Sequence, residues 1–209
     1  MTAPQRARTG PQAQRLTAFM KKRGIVRLRD VLAEGITATT VSRLEREGVV
    51  TRLGRGLYQL ADAPLEAEHT LAEAAKRVPR GVIALTSALA FHGLTDQQPR
   101  KVWMAIGPKD WAPKNDDPPL RIVRFSEPYL SSQVKTHKIE GVPVKVYDVA
   151  KTIADMFRHR QSVGLSVAIE GLREALRQRK TTPAALARAA ADGGVAKVMT
   201  PYLEALTHG

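Results

Sequence analysis

The stretch Leu28–Leu60, LRDVLAEGITATTVSRLEREGVVTRLGRGLYQL, constrains the fold most: its apolar residues, glycines and arginines fit two short helices, a tight turn and a basic hairpin. Val31 and Leu32 are the apolar positions expected of a first helix that starts near Leu28 and closes at Gly35, a residue free to take the left-handed conformation. Thr37 is placed to cap a second helix starting near Ala38, its hydroxyl accepting a bond from a backbone N–H of the first turn. In that helix Val41 and Leu44 are three apart and face inward, which leaves Thr39, Thr40, Ser42, Arg43 and Arg46 on the exposed side. Two helices joined this way form the helix-turn-helix pattern, whose second helix brings its N-terminal half to base edges in the major groove. Small hydroxylic residues permit close approach, and Arg43 and Arg46 can reach guanine edges or phosphates.

Gly48 ends the second helix, and Val49–Leu53 and Leu57–Leu60 then read as the arms of a hairpin turning at Gly54-Arg55-Gly56. The hairpin is the expected wing of a DNA-reading unit, with Arg52 and Arg55 at its tip to bind backbone phosphate or enter a minor groove. Its competing reading is a surface hairpin carrying solvated arginines.

Charge distribution bears on the partner, and weighs nucleic acid against a generally basic enzyme. Residues 1–60 hold twelve Lys and Arg against four acids, a net of +8, out of +13 for all 209 residues. The excess is concentrated on the expected reader, which favours nucleic acid as the partner. The chain has no cysteine, so a disulfide framework and thiolate zinc sites are excluded, and a reducing cytoplasm is compatible. No apolar run approaches the roughly 18 residues of a membrane span, and the leading MTAPQRARTG lacks the apolar centre of a signal peptide, so a cytoplasmic protein without a membrane partner is expected.

Along the chain, residues 1–10 read as a basic arm and Gln12–Arg23 as a helix with Leu16, Phe19 and Met20 on its buried stripe. Ile25-Val26-Arg27 is expected as a short strand beside the wing, and Ala61–Pro64 as a linker that divides the chain into domains 1–64 and 65–209. The second domain opens with a helix over Leu65–Val78, followed by a helix from Ser87 onward with Thr86 as its cap. Four β-rich runs follow, Val102–Ile106, Leu120–Phe125, Gln133–Ile139 and Val142–Tyr147, enough for a small mixed or antiparallel sheet. Beyond them Asp148 caps a helix carrying Val149, Ile153, Met156 and Phe157. Leu165, Ile169, Leu172 and Leu176 mark another, Pro183 opens a third, and Val195–Leu206 gives the last. The expected class is α+β: an N-terminal winged helix-turn-helix domain followed by a small sheet packed with C-terminal helices.

Catalytic signals are weak. His69, His92, His137, His159 and His208 are scattered without the spacing of a zinc hydrolase, so no metal is expected, and His92 reads as a packed, hydrogen-bonded residue. No glycine-rich phosphate loop is present and no cofactor is expected. Asp148 and Asp155, seven residues apart, could share a helix face as the acids of a metal-dependent nuclease. The stronger reading makes Asp148 a cap and pairs Asp155 with Arg158 or Arg160, which leaves no catalytic residue and a protein that is not an enzyme.

The N-terminal unit together with ALTSALAFHGLTDQQPRKVWMAI, VYDVAKTIADMFRHR, GLSVAIEGLREAL and VMTPYLEAL resembles the AbiEi family over about Gln14–Leu206. The most specific pieces are Leu85–Leu89 with His92-Gly93-Leu94, and Lys151–Asp155. The resemblance implies an antitoxin of a type IV toxin-antitoxin, abortive-infection system. Its N-terminal domain would bind inverted repeats in double-stranded DNA upstream of its own operon and repress it, and its C-terminal domain would supply antitoxicity. The companion toxin would resemble a nucleotidyltransferase and need not be gripped directly. Two alternatives stand beside it. One is a nucleic-acid-processing enzyme in which a winged helix delivers an α+β catalytic domain and Asp148, Asp155 and Glu170 are essential. The other is a ligand-sensing transcriptional regulator whose DNA affinity responds to a small molecule.

Overall fold

The computed structural model describes residues 10–64, 67–113 and 118–207. The expected basic arm up to Thr9, Leu65 and His208 lie outside the described residues. The chain forms two compact units, Met1–Lys76 with Lys138–Val142 and Arg77–His137 with Pro143–Gly209.

In the first unit, α1 (Pro11–Arg23) starts on a proline, whose missing N–H costs nothing at a helix start, and buries Ala13, Leu16 and Met20. Phe19 is only half-buried, with the Arg23 guanidinium 5.6 Å from its ring centre. The helix ends at Gly24, where φ is +63° and an added Cβ would lie 1.5 Å from the Glu140 carbonyl oxygen, so no side chain fits. Then follow β1 (Val26–Arg27), α2 (Leu28–Ala33), α3 (Ala38–Arg46), β2 (Val50–Gly54), β3 (Leu57–Leu60) and α4 (His69–Arg77). The three strands pair antiparallel in the order β1-β3-β2, with Val26 opposite Tyr58 and Val50 opposite Leu60, and the register shifts between Arg52 and Gly54. Ile25-Val26-Arg27 therefore does supply a short strand beside the hairpin.

Leu16, Met20, Val31, Ile36, Val41, Leu44 and Tyr58 belong to one core. Burying side chains the size of Val41 and Leu44 contributes about 1.5–3 kcal/mol each, and this holds α3 in place. Leu32 departs from expectation at 46% exposure. Adjacent residues on a helix point about 100° apart, so a six-residue α2 that buries Val31 turns Leu32 to solvent. The helix expected from Leu65 begins at His69.

The second unit contains β4 (Val82–Ile83), α5 (Leu85–Phe91), β5 (Val102–Ile106), β6 (Leu120–Arg124) and most of β7 (Val134–Ile139) and β8 (Val142–Tyr147), whose hairpin end, Lys138–Val142, belongs to the first. Helices α6 (Val149–Arg158), α7 (Arg160–Val163), α8 (Leu165–Arg177), α9 (Pro183–Asp192) and α10 (Ala196–Thr207) follow. The sheet runs β6-β5-β4-β8-β7 and is mixed: β4 is antiparallel to β5 and parallel to β8, and β5 is parallel to β6. Its middle strand β4 has two residues, both buried, and so lacks the alternation that marks a half-exposed strand.

Helix α6 is central: Ala150 to Phe157 are all buried, and α5, α8, α9 and α10 pack on it. Asp148 caps it, its Oδ1 accepting from the Lys151 N–H at 2.9 Å. Thr182 caps α9 in the same way, accepting from the Ala185 N–H at 3.2 Å ahead of Pro183. Thr86 is not the cap of α5. The helix starts at Leu85 with Ala84 in the cap position, and the next residue, Ser87, accepts from the Trp103 N–H at 2.9 Å. Leu165, first on α8, is 36% exposed instead of closing that helix's buried stripe.

Candidate nucleic-acid interface

Helix α3 is fixed by its first turn. Thr37 Oγ1 accepts from the Thr40 N–H at 3.3 Å, as a capping threonine does. Gln12 Oε1, on α1, accepts from the Thr37 N–H at 3.3 Å, from Thr37 Oγ1 at 3.1 Å and from Thr40 Oγ1 at 2.8 Å. The two hydroxyls also lie 3.0 Å from each other, so Thr37, Thr40 and Gln12 form one small hydrogen-bonded cluster. Thr37 and Thr40 therefore aim the helix. Thr39, Ser42 and Arg46 are exposed, and Arg46 Nε lies 3.4 Å from the Ser42 carbonyl oxygen. Arg43 is partly covered and donates to Glu47 Oε1 at 2.8 Å. Any phosphate or base edge must compete with that carboxylate for Arg43.

The β2–β3 hairpin continues the same unit. Arg52 donates through Nε to the Gly54 carbonyl at 3.2 Å, beside the register shift, and Arg55 stands exposed at the turn. Gly56 completes the turn at φ +69°. Gln12 had no local signal, because the residues it serves are 25 and 28 positions away. Glu47 was legible as the i+4 partner of Arg43.

In the second unit, the polar group of most consequence is buried. Lys151 and Asp155, one helical turn apart on α6, are 1% and 0% exposed, with Nζ 3.5 Å from Oδ2. The Tyr129 hydroxyl donates to Asp155 Oδ1. The Lys151 ammonium lies 2.9 Å from the Tyr129 ring centre, 4.4 Å from that of Tyr147 and 5.3 Å from that of Phe125. Burial pushes the Lys151 ammonium down to about 8 and the Asp155 carboxyl up to about 6. The hydroxyls of Tyr129 and Tyr147 are raised, first by burial and then by the Asp155 charge.

Asp155 thus pairs with Lys151 and Tyr129, and not with Arg158 or Arg160, which donate to the carbonyls of Gly193 at 3.3 Å and Phe157 at 3.0 Å. The inward face of α6 holds Asp155, whereas Arg158, its last residue, is exposed and Arg160 opens α7. Asp148 is engaged as a cap, Asp155 is sealed and Glu170 is exposed on α8, so the three acids do not line one cleft. His92 is packed and bonded, with Nε2 2.7 Å from the Tyr147 carbonyl oxygen, and burial lowers its pKa. Among the described residues no three metal-ligating side chains cluster, and no helix is long and apolar enough to cross a membrane.

Residues 14–61 match the family described as transcriptional regulator, AbiEi antitoxin.

The AbiEi match spans most of α1, all of α2 and α3, and the three-stranded sheet, so every proposed reader falls inside it while Gln12 lies just outside. Among solved structures, the crystal structure of RV2827C protein from Mycobacterium tuberculosis is similar, with a TM-score of 0.59 at 14% identity over 96% of this chain and 82% of that one. At that identity the likeness shows a shared fold. No curated protein matches the chain. The AbiEi-type segment also carries a large share of the positive charge, Arg15, Lys21, Lys22, Arg23, Arg27, Arg29, Arg43, Arg46, Arg52 and Arg55, against Asp30, Glu34, Glu45 and Glu47.

Proposed function

We propose that this protein is a DNA-binding antitoxin-type repressor: a cytoplasmic type IV antitoxin that binds an inverted-repeat operator upstream of its own operon and turns that operon down. The observation that carries the reading is the exposed face of α3, where Thr39, Ser42 and Arg46 lie over the buried Val41 and Leu44, followed directly by a hairpin bearing Arg52 and Arg55. In this reading the segment works as a winged helix-turn-helix. Helix α3 enters the major groove, Arg43 and Arg46 read base edges or clamp phosphates, and the hairpin arginines hold the backbone or reach the minor groove. Thr37 and Thr40 set the angle of approach. The family match over residues 14–61 supports a regulator. The partner antagonised by the protein would be a nucleotidyltransferase-like toxin, with the second unit supplying the antagonism, and the protein would have no catalytic activity of its own.

A promoter-reporter assay tests this. DNA from upstream of the protein's gene, placed before a reporter, is expected to be repressed by the intact protein and derepressed by Arg43→Ala with Arg46→Ala. DNase footprinting should protect two half-sites related by a dyad. A reporter indifferent to the intact protein contradicts the reading. The enzymatic alternative has less support, because the acids it needs are a cap, a sealed ion pair and an isolated surface residue.

A further inference from the structure

The second unit holds a cavity of about 340 Å³ whose wall includes Gln97, Gln98, Arg100, Lys101, Trp103 and Arg121. Three cations converge on it, and none of the described residues that line it is a carboxylate. Arg100, Lys101 and Arg121 are exposed, so their charges are available to a ligand from solvent. Arg121 is also pre-positioned: its guanidinium lies 4.3 Å from the ring centre of Trp103, which is itself buried at the start of β5. At that distance a cation–π contact anchors the guanidinium over the indole, and a guanidinium laid flat there keeps its edge N–H groups available as donors.

These features select a ligand by chemistry. Like charges held around a concavity of this size repel one another unless an anion joins them, and a planar guanidinium is suited to bidentate phosphate recognition. The free face of a stacked guanidinium is a platform for a nucleobase, and the Gln97 and Gln98 amides can both donate and accept at a base edge. A volume of about 340 Å³ lies at the low end for small-molecule sites, suiting one compact ligand and not a folded helix or a duplex. We propose that this cavity binds a free nucleoside phosphate, with the phosphates on Arg100 and Lys101 and the base against Arg121. The proposal is independent of DNA binding by the first unit.

Trp103 supplies the readout. The chain has two tryptophans, and Trp111 is 69% exposed and outside the lining, so Trp111→Phe in the full-length protein isolates Trp103 emission. ATP is expected to change that emission saturably, and inorganic triphosphate is expected to compete. By calorimetry, Arg121→Met and Lys101→Ala should each weaken ATP by about tenfold or more, the factor set by losing one charge-assisted hydrogen bond, with circular dichroism unchanged. Three results would overturn the proposal: no saturable response to ATP, ATP affinity indifferent to both substitutions, or a response to a short single-stranded oligonucleotide with none to ATP or triphosphate.

Discussion

Thr40 on α3 donates its hydroxyl proton to Gln12 on α1 at 2.8 Å, and through this bond the orientation of the proposed reading helix depends on a residue outside it. The same Gln12 oxygen accepts from Thr37, so one amide holds the whole first turn.

Gln12→Ala should therefore remove the acceptor for three donors and, because these bonds are at least partly open to water, destabilise the first unit by about 0.5–1.5 kcal/mol. It should also weaken DNA binding while every reader stays in place, as expected for a positioning residue. Thermal unfolding and fluorescence anisotropy on the upstream duplex check this, and Gln12→Glu, which keeps an acceptor, should recover much of the stability. Unchanged stability and affinity in Gln12→Ala would contradict it.

Arg43 and Glu47 form an i,i+4 ion pair at 2.8 Å, and both are partly exposed. A pair of this kind contributes only about 0.3–0.5 kcal/mol to the helix, so Glu47→Gln should cost little stability. It should nonetheless raise affinity for all duplexes by freeing Arg43 and removing a negative charge. Arg43→Ala should cost about 1–3 kcal/mol on the operator and relax sequence preference. Competition anisotropy with operator and scrambled duplexes distinguishes the two effects.

The Lys151–Asp155 pair gives a test by acid. The Asp155 carboxyl is raised from 3.8 to about 6 by burial, so between those values the folded state holds more protons than the unfolded, and this group's contribution to stability falls as pH rises. Lys151 is lowered from 10.5 to about 8, so across that window the unfolded state holds more protons and the contribution rises with pH. Asp155→Asn should abolish the first trend. Urea midpoints from pH 4 to 7 should show the wild type losing stability relative to Asp155→Asn as pH rises towards 6. A constant difference would contradict it. Lys151→Met alone should cost about 3–5 kcal/mol by stranding a buried carboxylate, and Lys151→Met with Asp155→Leu should recover part of it.

What could be read in the sequence depended on whether a contact was local. The caps at Thr37 and Asp148, the Pro183 helix start and the turn at Arg55-Gly56 all act within four residues, and each stands where its chemistry requires. Strand β4 was not legible because a strand buried on both faces shows no period. Gln12 was not legible because its partners are distant in sequence, and Asp155 was assigned to the wrong cations because the face α6 turns inward is set by the sheet and helices around it. The proposed reader residues lie close together in the sequence; the half-buried Gln12 amide that holds the first turn of α3 lies far from them.

The most direct measurement is the salt dependence of binding to the upstream operator, by anisotropy, for the intact protein and for Arg46→Ala and Arg55→Ala. The account predicts specific binding that falls steeply with salt, with a slope shallower by about one for Arg55→Ala and affinity lost on all duplexes alike. It also predicts that Arg46→Ala lowers operator affinity. Equal affinity for operator and unrelated DNA at every salt concentration, or wild-type binding by both variants, would contradict the claim that α3 and the hairpin form a DNA-reading surface.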